Sequence, residues 1–228
     1  LIVFVHGGGW RFGDNKDHIS MARRFANTTS LPVCLPNYRL SPAVKHPTHT
    51  NDVHTALNHL LSKAHDLVQD AFTSLHLIGH SAGAHILGSL FLSPPLSSPS
   101  ADDTHPSPTS SPCYACSLST PSLPIRNRPS PFLVRSVKTI IGLAGVYDLD
   151  LLLRSFPYEL YRSMASDGFG DRDNYEDFDL TTYELIDDGI RWAIVHSQGD
   201  SLVDILQPEA FYKRLTELYP NLNLNSEL

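Results

Sequence analysis

A serine between two glycines is the residue whose surroundings point most directly to chemistry. The segment GHSAG runs from Gly79 to Gly83 and places Ser81 between a predicted strand and a predicted helix. In this G-x-S-x-G pattern the small residues permit a tight turn that strains the serine and projects its hydroxyl above the sheet. The turn predicts Ser81 as a nucleophile for acyl transfer, and the alternative is an ordinary glycine-rich turn.

The first loop of the chain, HGGGW, is a candidate oxyanion hole. Acyl hydrolysis needs backbone N–H groups that already point at the developing oxyanion, and glycines allow that close approach. We expect the amides of Gly8, Gly9 and Ala82 to be the donors. The alternative, a phosphate-binding loop, lacks the lysine of a Walker loop and the spacing of a dinucleotide loop. His6 is expected to brace the loop, because the catalytic base comes last in the chain order of this motif.

The acid of a serine triad is expected after the strand RWAIVHS, since the chain order is nucleophile, acid, base. Asp200 lies a few residues beyond that strand, and Asp204 is the competing candidate. We favour Asp200, because Asp204 falls where the next helix needs a capping residue. Asp148 follows the preceding strand and is better interpreted as the cap of another helix.

The catalytic base has no assignment within the chain. A histidine should follow the acid after one more helix and strand, but the last histidine is His196. The chain opens on a core strand at Leu1 and stops at Leu228 after a predicted helix. The sequence therefore predicts a fold truncated at both ends, with the catalytic histidine beyond residue 228.

Alternating strands and helices must position these residues. Buried apolar strands are predicted at 1–5, 74–78, 137–143 and 191–196, with helices near 17–27, 51–64, 82–92 and 206–219. This alternation is typical of a mostly parallel, doubly wound α/β sheet in one domain spanning residues 1–228. Residues 149–188, rich in aromatics and short helical runs, are predicted to form a helical lid over the site.

Residues 93–131 interrupt the alternation with a Ser/Pro-rich segment. Such a composition cannot bury enough apolar surface to offset its ordering entropy. We predict a disordered surface insertion, and the alternative is a segment regulated by phosphorylation.

The overall composition restricts the partners and cofactors. With 17 basic and 24 acidic residues the formal charge is −7, which offers no cationic surface for nucleic acid or anionic lipid. No apolar run in this sequence is long enough to cross a membrane, and we expect no secretory leader. Cys34, Cys113 and Cys116 give neither a disulfide framework nor four zinc ligands. We therefore expect a cytoplasmic protein that acts on a small molecule without metal or cofactor, and homodimer formation is left open.

The motifs together resemble one family. The chain is similar to α/β-hydrolases of the hormone-sensitive-lipase-like branch and, within it, to the kynurenine formamidases, or arylformamidases. The resemblance rests on HGGGW at 6–10, NYRLSP at 37–42, GHSAGAH at 79–85, AGVYDL at 144–149, and HSQGD ending at Asp200. It covers nearly the whole chain except the Ser/Pro-rich segment, and the missing histidine departs from it.

The resemblance implies hydrolysis of N-formyl-L-kynurenine to L-kynurenine and formate in tryptophan degradation. Ser81 would attack the formyl carbon, the loop amides would hold the oxyanion, and Asp200 would orient the imidazole. The alternatives are a broad short-chain carboxylesterase that uses the same residues and a catalytically inactive binding protein with this fold.

Aromatic side chains are the candidates for the walls of an aryl pocket. Trp10 follows the glycines, and Phe156, Tyr158 and Tyr161 lie in the predicted lid. Such rings fit an aryl substrate, but they are as often part of an ordinary core.

Overall fold

The structure is a computed structural model that describes residues 1–67, 74–94, 128–218 and 224–227. In these ranges the strands are β1 (Ile2–Val5), β2 (Val33–Cys34), β3 (Leu75–His80), β4 (Leu92–Ser93), β5 (Val137–Leu143), β6 (Glu184–Leu185), β7 (Arg191–Val195) and β8 (Leu224–Glu227). The α-helices are α1 (Ile19–Thr29), α2 (Thr48–Leu67), α3 (Ala82–Phe91), α4 (Pro131–Ser136), α5 (Leu149–Ser155), α6 (Glu159–Phe169) and α7 (Leu206–Leu218).

One parallel sheet organises the molecule. Its strands lie in the order β2, β1, β3, β5, β7, β8, and each neighbouring pair is parallel. Strands β4 and β6 form a separate antiparallel pair of two residues each. The parallel α/β sheet predicted from the sequence is confirmed.

Apolar side chains pack on both faces of this sheet. On one face a smaller cluster contains Phe4 of β1 and Phe25 of α1. On the other face a larger cluster contains Val5 of β1, Leu87 of α3 and Phe211 of α7. A strand covered on both faces has no solvent side, which explains why β1 is an uninterrupted apolar run.

The register of the central strands brings their carboxyl ends to one edge. Val5 is opposite Gly79, His80 is opposite Leu143, and Leu143 is opposite Val195. The loops that follow β1, β3, β5 and β7 therefore leave the sheet side by side. Ligand sites in open α/β sheets form at this edge.

The predicted Ser/Pro-rich insertion falls mostly outside the described residues. Residues 95–127, including Cys113 and Cys116, are not described, so its disorder stays a prediction. Among the helices that are described, none has both the length and the apolar composition needed to cross a bilayer.

Candidate functional site

Ser81 lies in a strained turn between β3 and α3. Its φ of 51° and ψ of −118° are sterically unfavourable for a residue with a side chain. Its N–H donates to the carbonyl of Leu143 at 2.9 Å. A Cβ on Gly83 would collide with the Val5 carbonyl oxygen, and one on Gly79 would lie 2.6 Å from the Ala84 nitrogen. Glycine at 79 and 83 is therefore required for this turn to close.

The loop after β1 passes directly beside Ser81. A Cβ on Gly7 would lie 3.0 Å from the Cβ of Ser81. The next three residues are all left-handed, with φ of 110° at Gly8, 57° at Gly9 and 58° at Trp10. Gly8 and Gly9 adopt positive φ without the usual steric cost, whereas Trp10 adopts it with a side chain.

Tyr38 and His6 support this loop. The Tyr38 hydroxyl donates to the carbonyl of His6 at 3.0 Å, and the two rings stack with centroids 4.5 Å apart. Nδ1 of His6 lies 2.8 Å from the Gly7 carbonyl oxygen. Burial lowers the pKa of His6 and raises that of Tyr38, so both rings are neutral supports. His6 therefore braces the loop, as the sequence predicts.

A second layer of residues, behind the glycine loop, supports Trp10. Its carbonyl accepts from the Ser41 N–H at 2.9 Å. Trp10 is 2% exposed, and its indole ring packs edge-on against His85 and Phe169, with centroids 5.3 and 4.8 Å away. Beneath it, the Ser41 hydroxyl lies 3.0 Å from Nε2 of the fully buried His49. The loop therefore rests on a packed support of aromatic and polar side chains.

His49 is expected to make the protein sensitive to acid. Burial lowers its pKa from 6.5 to about 4, so the native state holds it neutral where the unfolded chain protonates it. Its contribution is complete above about pH 6.5 and is lost as the pH falls to about 4. At about 1.36 kcal/mol per pH unit this amounts to about 3 kcal/mol of unfolding free energy.

Denaturant titrations across that pH window provide the measurement. The H49Q variant keeps an amide donor for Ser41 but has no titrating ring, so its stability is expected to fall less on acidification. Equal acid sensitivity in both proteins would contradict the assignment.

One cavity of about 300 Å³ collects most of the predicted site. Ser81, Gly8, Gly9, Ala82 and Trp10 all line it. The opposite wall comes from α5, α6 and the loops after β5 and β7, with Val146, Leu149, Leu152, Leu153, Leu160, Tyr161, Met164, Ala165, Leu202 and Val203. The lining also includes Phe12 and His80. A serine hydroxyl, amides of glycine loops and apolar walls are thus brought together around one space.

Tyr158 is the predicted pocket residue that the structure does not bring to the cavity, and the predicted acid Asp200 is not part of its lining either. Its side chain is 64% exposed, at the residue preceding α6. Tyr161, nearly one turn further on, lines the cavity instead and donates its hydroxyl to the Leu202 carbonyl at 2.9 Å. Phe156 stacks on Tyr161 with centroids 5.0 Å apart and supports it from outside the lining.

Asp200 lies in the loop after β7, at the same edge as Ser81. One carboxylate oxygen accepts from the N–H groups of Leu202 and Val203 at 2.8 and 3.1 Å, and both residues line the cavity. Burial lowers the pKa of His80, beside Ser81, and the Asp200 carboxylate partly opposes that effect. The carboxylate is therefore within electrostatic range of the nucleophile turn.

The competing carboxylates are engaged as helix caps. Asp204 accepts from the Leu206 N–H at 2.9 Å at the start of α7. Asp148 accepts from the Leu151 N–H at 2.9 Å and begins α5. Both contacts agree with the sequence interpretation of Asp204 and Asp148. Asp200 also accepts from backbone N–H groups of its own loop, and its role as the acid stays a prediction.

The structure assigns no catalytic base. Nε2 of the buried His196 lies 2.9 Å from the Val203 carbonyl oxygen. Within residues 1–67, 74–94 and 128–218, no histidine is hydrogen-bonded to the Ser81 hydroxyl. A base beyond residue 228 stays a prediction. In the same part of the chain no group of three or more His, Cys, Asp or Glu side chains is arranged to hold a metal ion.

Comparison with known proteins finds similar sequences and a matching fold. A family model for the alpha/beta hydrolase fold matches residues 2–94. Kynurenine formamidase of Scheffersomyces stipitis is 25% identical over 228 residues, covering 95% of this chain and 78% of the relative. Kynurenine formamidase of Eremothecium gossypii is 29% identical over 220 residues, covering 94% and 78%. The chain is an α/β-hydrolase-fold protein similar to the kynurenine formamidases.

Solved structures agree with this fold. An arylesterase structure superposes with a TM-score of 0.68 at 19% identity, and the match covers 100% of this hydrolase and 66% of that chain. The hydrolase thus spans about two thirds of the length of that esterase. At this identity the match establishes the fold alone.

Several cavity residues of the hydrolase were missed by the sequence reasoning. Leu160, Met164 and Ala165 line the cavity beside Tyr161, and a Cβ on Gly9 would collide with the end of the Met164 side chain. Their spacing of four and five residues places them on one helix face, which is a detectable signal. The contacts of that face are set only when α6 packs against the glycine loop.

Substitutions of Asp200 and Asp204 test which of the two carboxylates is the acid. We expect D200N in the full-length protein to lower kcat by about 10²- to 10⁴-fold, because an orienting carboxylate would be lost. D204A removes only a helix cap and is expected to cost about 1 kcal/mol of stability with kcat nearly unchanged. Steady-state kinetics and thermal denaturation of both variants make the test. An equal loss of kcat in D204A would transfer the role to Asp204.

Proposed function

We propose that this protein is a serine hydrolase that cleaves N-formyl-L-kynurenine to L-kynurenine and formate. The observation that carries the proposal is Ser81 on a strained turn, lining one cavity with the glycine loop. Four curated relatives that bear the name kynurenine formamidase, at 25–29% identity over more than nine tenths of the chain, support the choice of substrate.

The first half of the proposed reaction transfers the formyl group to Ser81. A histidine accepts the hydroxyl proton as the oxygen attacks the formyl carbon. The carbonyl oxygen becomes an oxyanion, which the amides of Gly8, Gly9 and Ala82 stabilise. The C–N bond then breaks, and the nitrogen takes the proton from the imidazolium and leaves as the arylamine.

The second half releases formate. Water, deprotonated by the same histidine, attacks the formyl ester of Ser81 through a second oxyanion. The serine oxygen leaves with the proton returned by the imidazolium, and the free hydroxyl is restored. Asp200 orients the imidazole and stabilises its charged form in both halves.

A second candidate, a short-chain carboxylesterase, is favoured by the apolar lining. Among the described residues that line the cavity there is no Lys, Arg, Asp or Glu. An uncharged ester fits such walls, whereas the amino-acid end of N-formyl-L-kynurenine must find its contacts elsewhere.

The experiment compares kcat/KM of the full-length protein for N-formyl-L-kynurenine and p-nitrophenyl acetate. The proposal predicts that the formamide is preferred by about tenfold or more, a difference of about 1.4 kcal/mol in transition-state binding. Preference for the ester would favour the second candidate. No turnover of either substrate, together with no labelling of Ser81 by a fluorophosphonate, would favour an inactive binding protein.

A further inference from the structure

A buried glutamine at the start of α7 connects two walls of the cavity. Gln207 is fully buried. Its Oε1 accepts from the N–H groups of Tyr147 and Asp148 at 2.7 and 3.0 Å, and its Nε2 donates to the Asp148 carbonyl at 2.7 Å. All three hydrogen bonds go to the backbone of the loop after β5. The Gln207 side chain thus pairs with two N–H groups and one carbonyl oxygen of that loop.

The loop that Gln207 holds lies against the nucleophile turn. The Val146 N–H is 3.5 Å from the carbonyl oxygen of Ser81, and Val146 itself lines the cavity. Ala144, with φ of 46°, donates its N–H to Val195 at the end of β7. A shift of this loop would therefore displace the turn that carries Ser81.

Gln207 is equally tied to the loop that carries Asp200. Its own N–H donates to the Asp204 carbonyl at 3.0 Å. Asp200 in turn accepts from the N–H of Val203, one residue before Asp204. The backbone of Gln207 is thus hydrogen-bonded within the same short segment that contains Asp200. Its side chain is hydrogen-bonded to the loop beside Ser81.

We propose that Gln207 is a positioning residue that fixes the Asp200 loop relative to Ser81. The inference rests on the proposed function, because it uses Asp200 as the orienting acid. A leucine at 207 has a similar volume but would leave the Tyr147 and Asp148 N–H groups without their partner inside the protein. The loops would then separate to reach water, and the carboxylate would move away from the catalytic histidine.

The Q207L variant of the full-length protein tests this role. We expect kcat on N-formyl-L-kynurenine to fall about 10- to 100-fold with KM within about threefold, as misplacement by about 1 Å has such effects. The acid limb of the kcat profile should move to lower pH, because a displaced carboxylate stabilises the imidazolium less.

L215A is the matched control for damage to α7. Leu215 is buried in the same helix but makes none of these hydrogen bonds. This variant should lose thermal stability while keeping wild-type kcat and acid limb at temperatures where it is folded. A drop in kcat of the same size in L215A and Q207L would overturn the proposal, as would an unchanged kcat in Q207L.

Two further variants separate positioning from packing. In a D200N background, Q207L should lower kcat less than about threefold, because a residue acting through Asp200 has nothing left to position. In Q207E, a protonated carboxyl can still donate to Asp148 while an ionised one cannot. Its activity relative to wild type should therefore rise as the pH is lowered. Full additivity with D200N, or a pH-independent loss in Q207E, would contradict the role.

The proposed function and this inference can fail separately. If the wild-type protein turns over p-nitrophenyl acetate but not N-formyl-L-kynurenine, the substrate proposal fails. The Gln207 series is then measured on the ester, since both substrates use the same nucleophile and acid. A normal Q207L enzyme on a good substrate would overturn only the inference.

Discussion

Replacement of Ser81 by alanine is expected to lower kcat/KM by about 10⁴-fold or more while the protein remains folded. The hydroxyl is the only group at the carboxyl edge that combines a strained turn with a position beside the glycine loop, within the described part of the chain. Alanine keeps the Cβ, so the backbone strain and the packing of the turn are unchanged. The loss would therefore report chemistry rather than folding.

Kinetics on N-formyl-L-kynurenine and p-nitrophenyl acetate, with thermal denaturation, check this expectation. S163A is a suitable control, because Ser163 lies on α6 outside the cavity lining. A fluorophosphonate should add one adduct to the wild-type protein and to S163A, and none to S81A. Retention of activity in S81A would exclude Ser81 as the nucleophile and with it the proposed reaction.

Replacement of Gly8 by alanine should lower kcat by about 10²- to 10³-fold, the cost of losing an oxyanion donor. Gly8 has φ of 110°, and an added Cβ would collide with the carbonyl oxygen of Phe12. That neighbour is backbone and cannot rotate away, so the loop itself must shift. We expect this shift to move the N–H groups of Gly8 and Gly9, the proposed oxyanion donors, out of reach of the reacting carbonyl.

Gly170 provides a control for backbone strain alone. Its φ of 95° is also left-handed, but the nearest atom to an added Cβ is Nε of Arg172 at 3.9 Å. G170A should therefore lose about 1 kcal/mol of stability and keep its kcat. If G8A were as active as G170A, the loop after β1 would not supply the oxyanion hole.

The sequence by itself determined the turn, the glycine loop and the strands that carry them. The glycines at 79 and 83 are needed because any side chain would meet backbone within a few residues or on the adjacent strand. The predicted strand 137–143 matches β5 at both ends, since its apolar residues pack on both faces of the sheet, Val137 and Ile140 on one and Ile141 and Leu143 on the other. Such features follow from local chemistry and can be predicted without knowing the rest of the fold.

Tertiary packing alone decided which side chains meet at the cavity. Tyr158 and Tyr161 are equally aromatic in sequence, but α6 turns Tyr161 toward Leu202 and leaves Tyr158 in solvent. Tyr38 and Gln207 carry no sequence signal for their contacts, because their partners are backbone atoms 31 and 59 residues or more away. Helical and strand periodicity specify which face of an element is apolar. They do not specify which distant backbone group that face will meet, and this pairing is fixed only when the sheet and helices assemble.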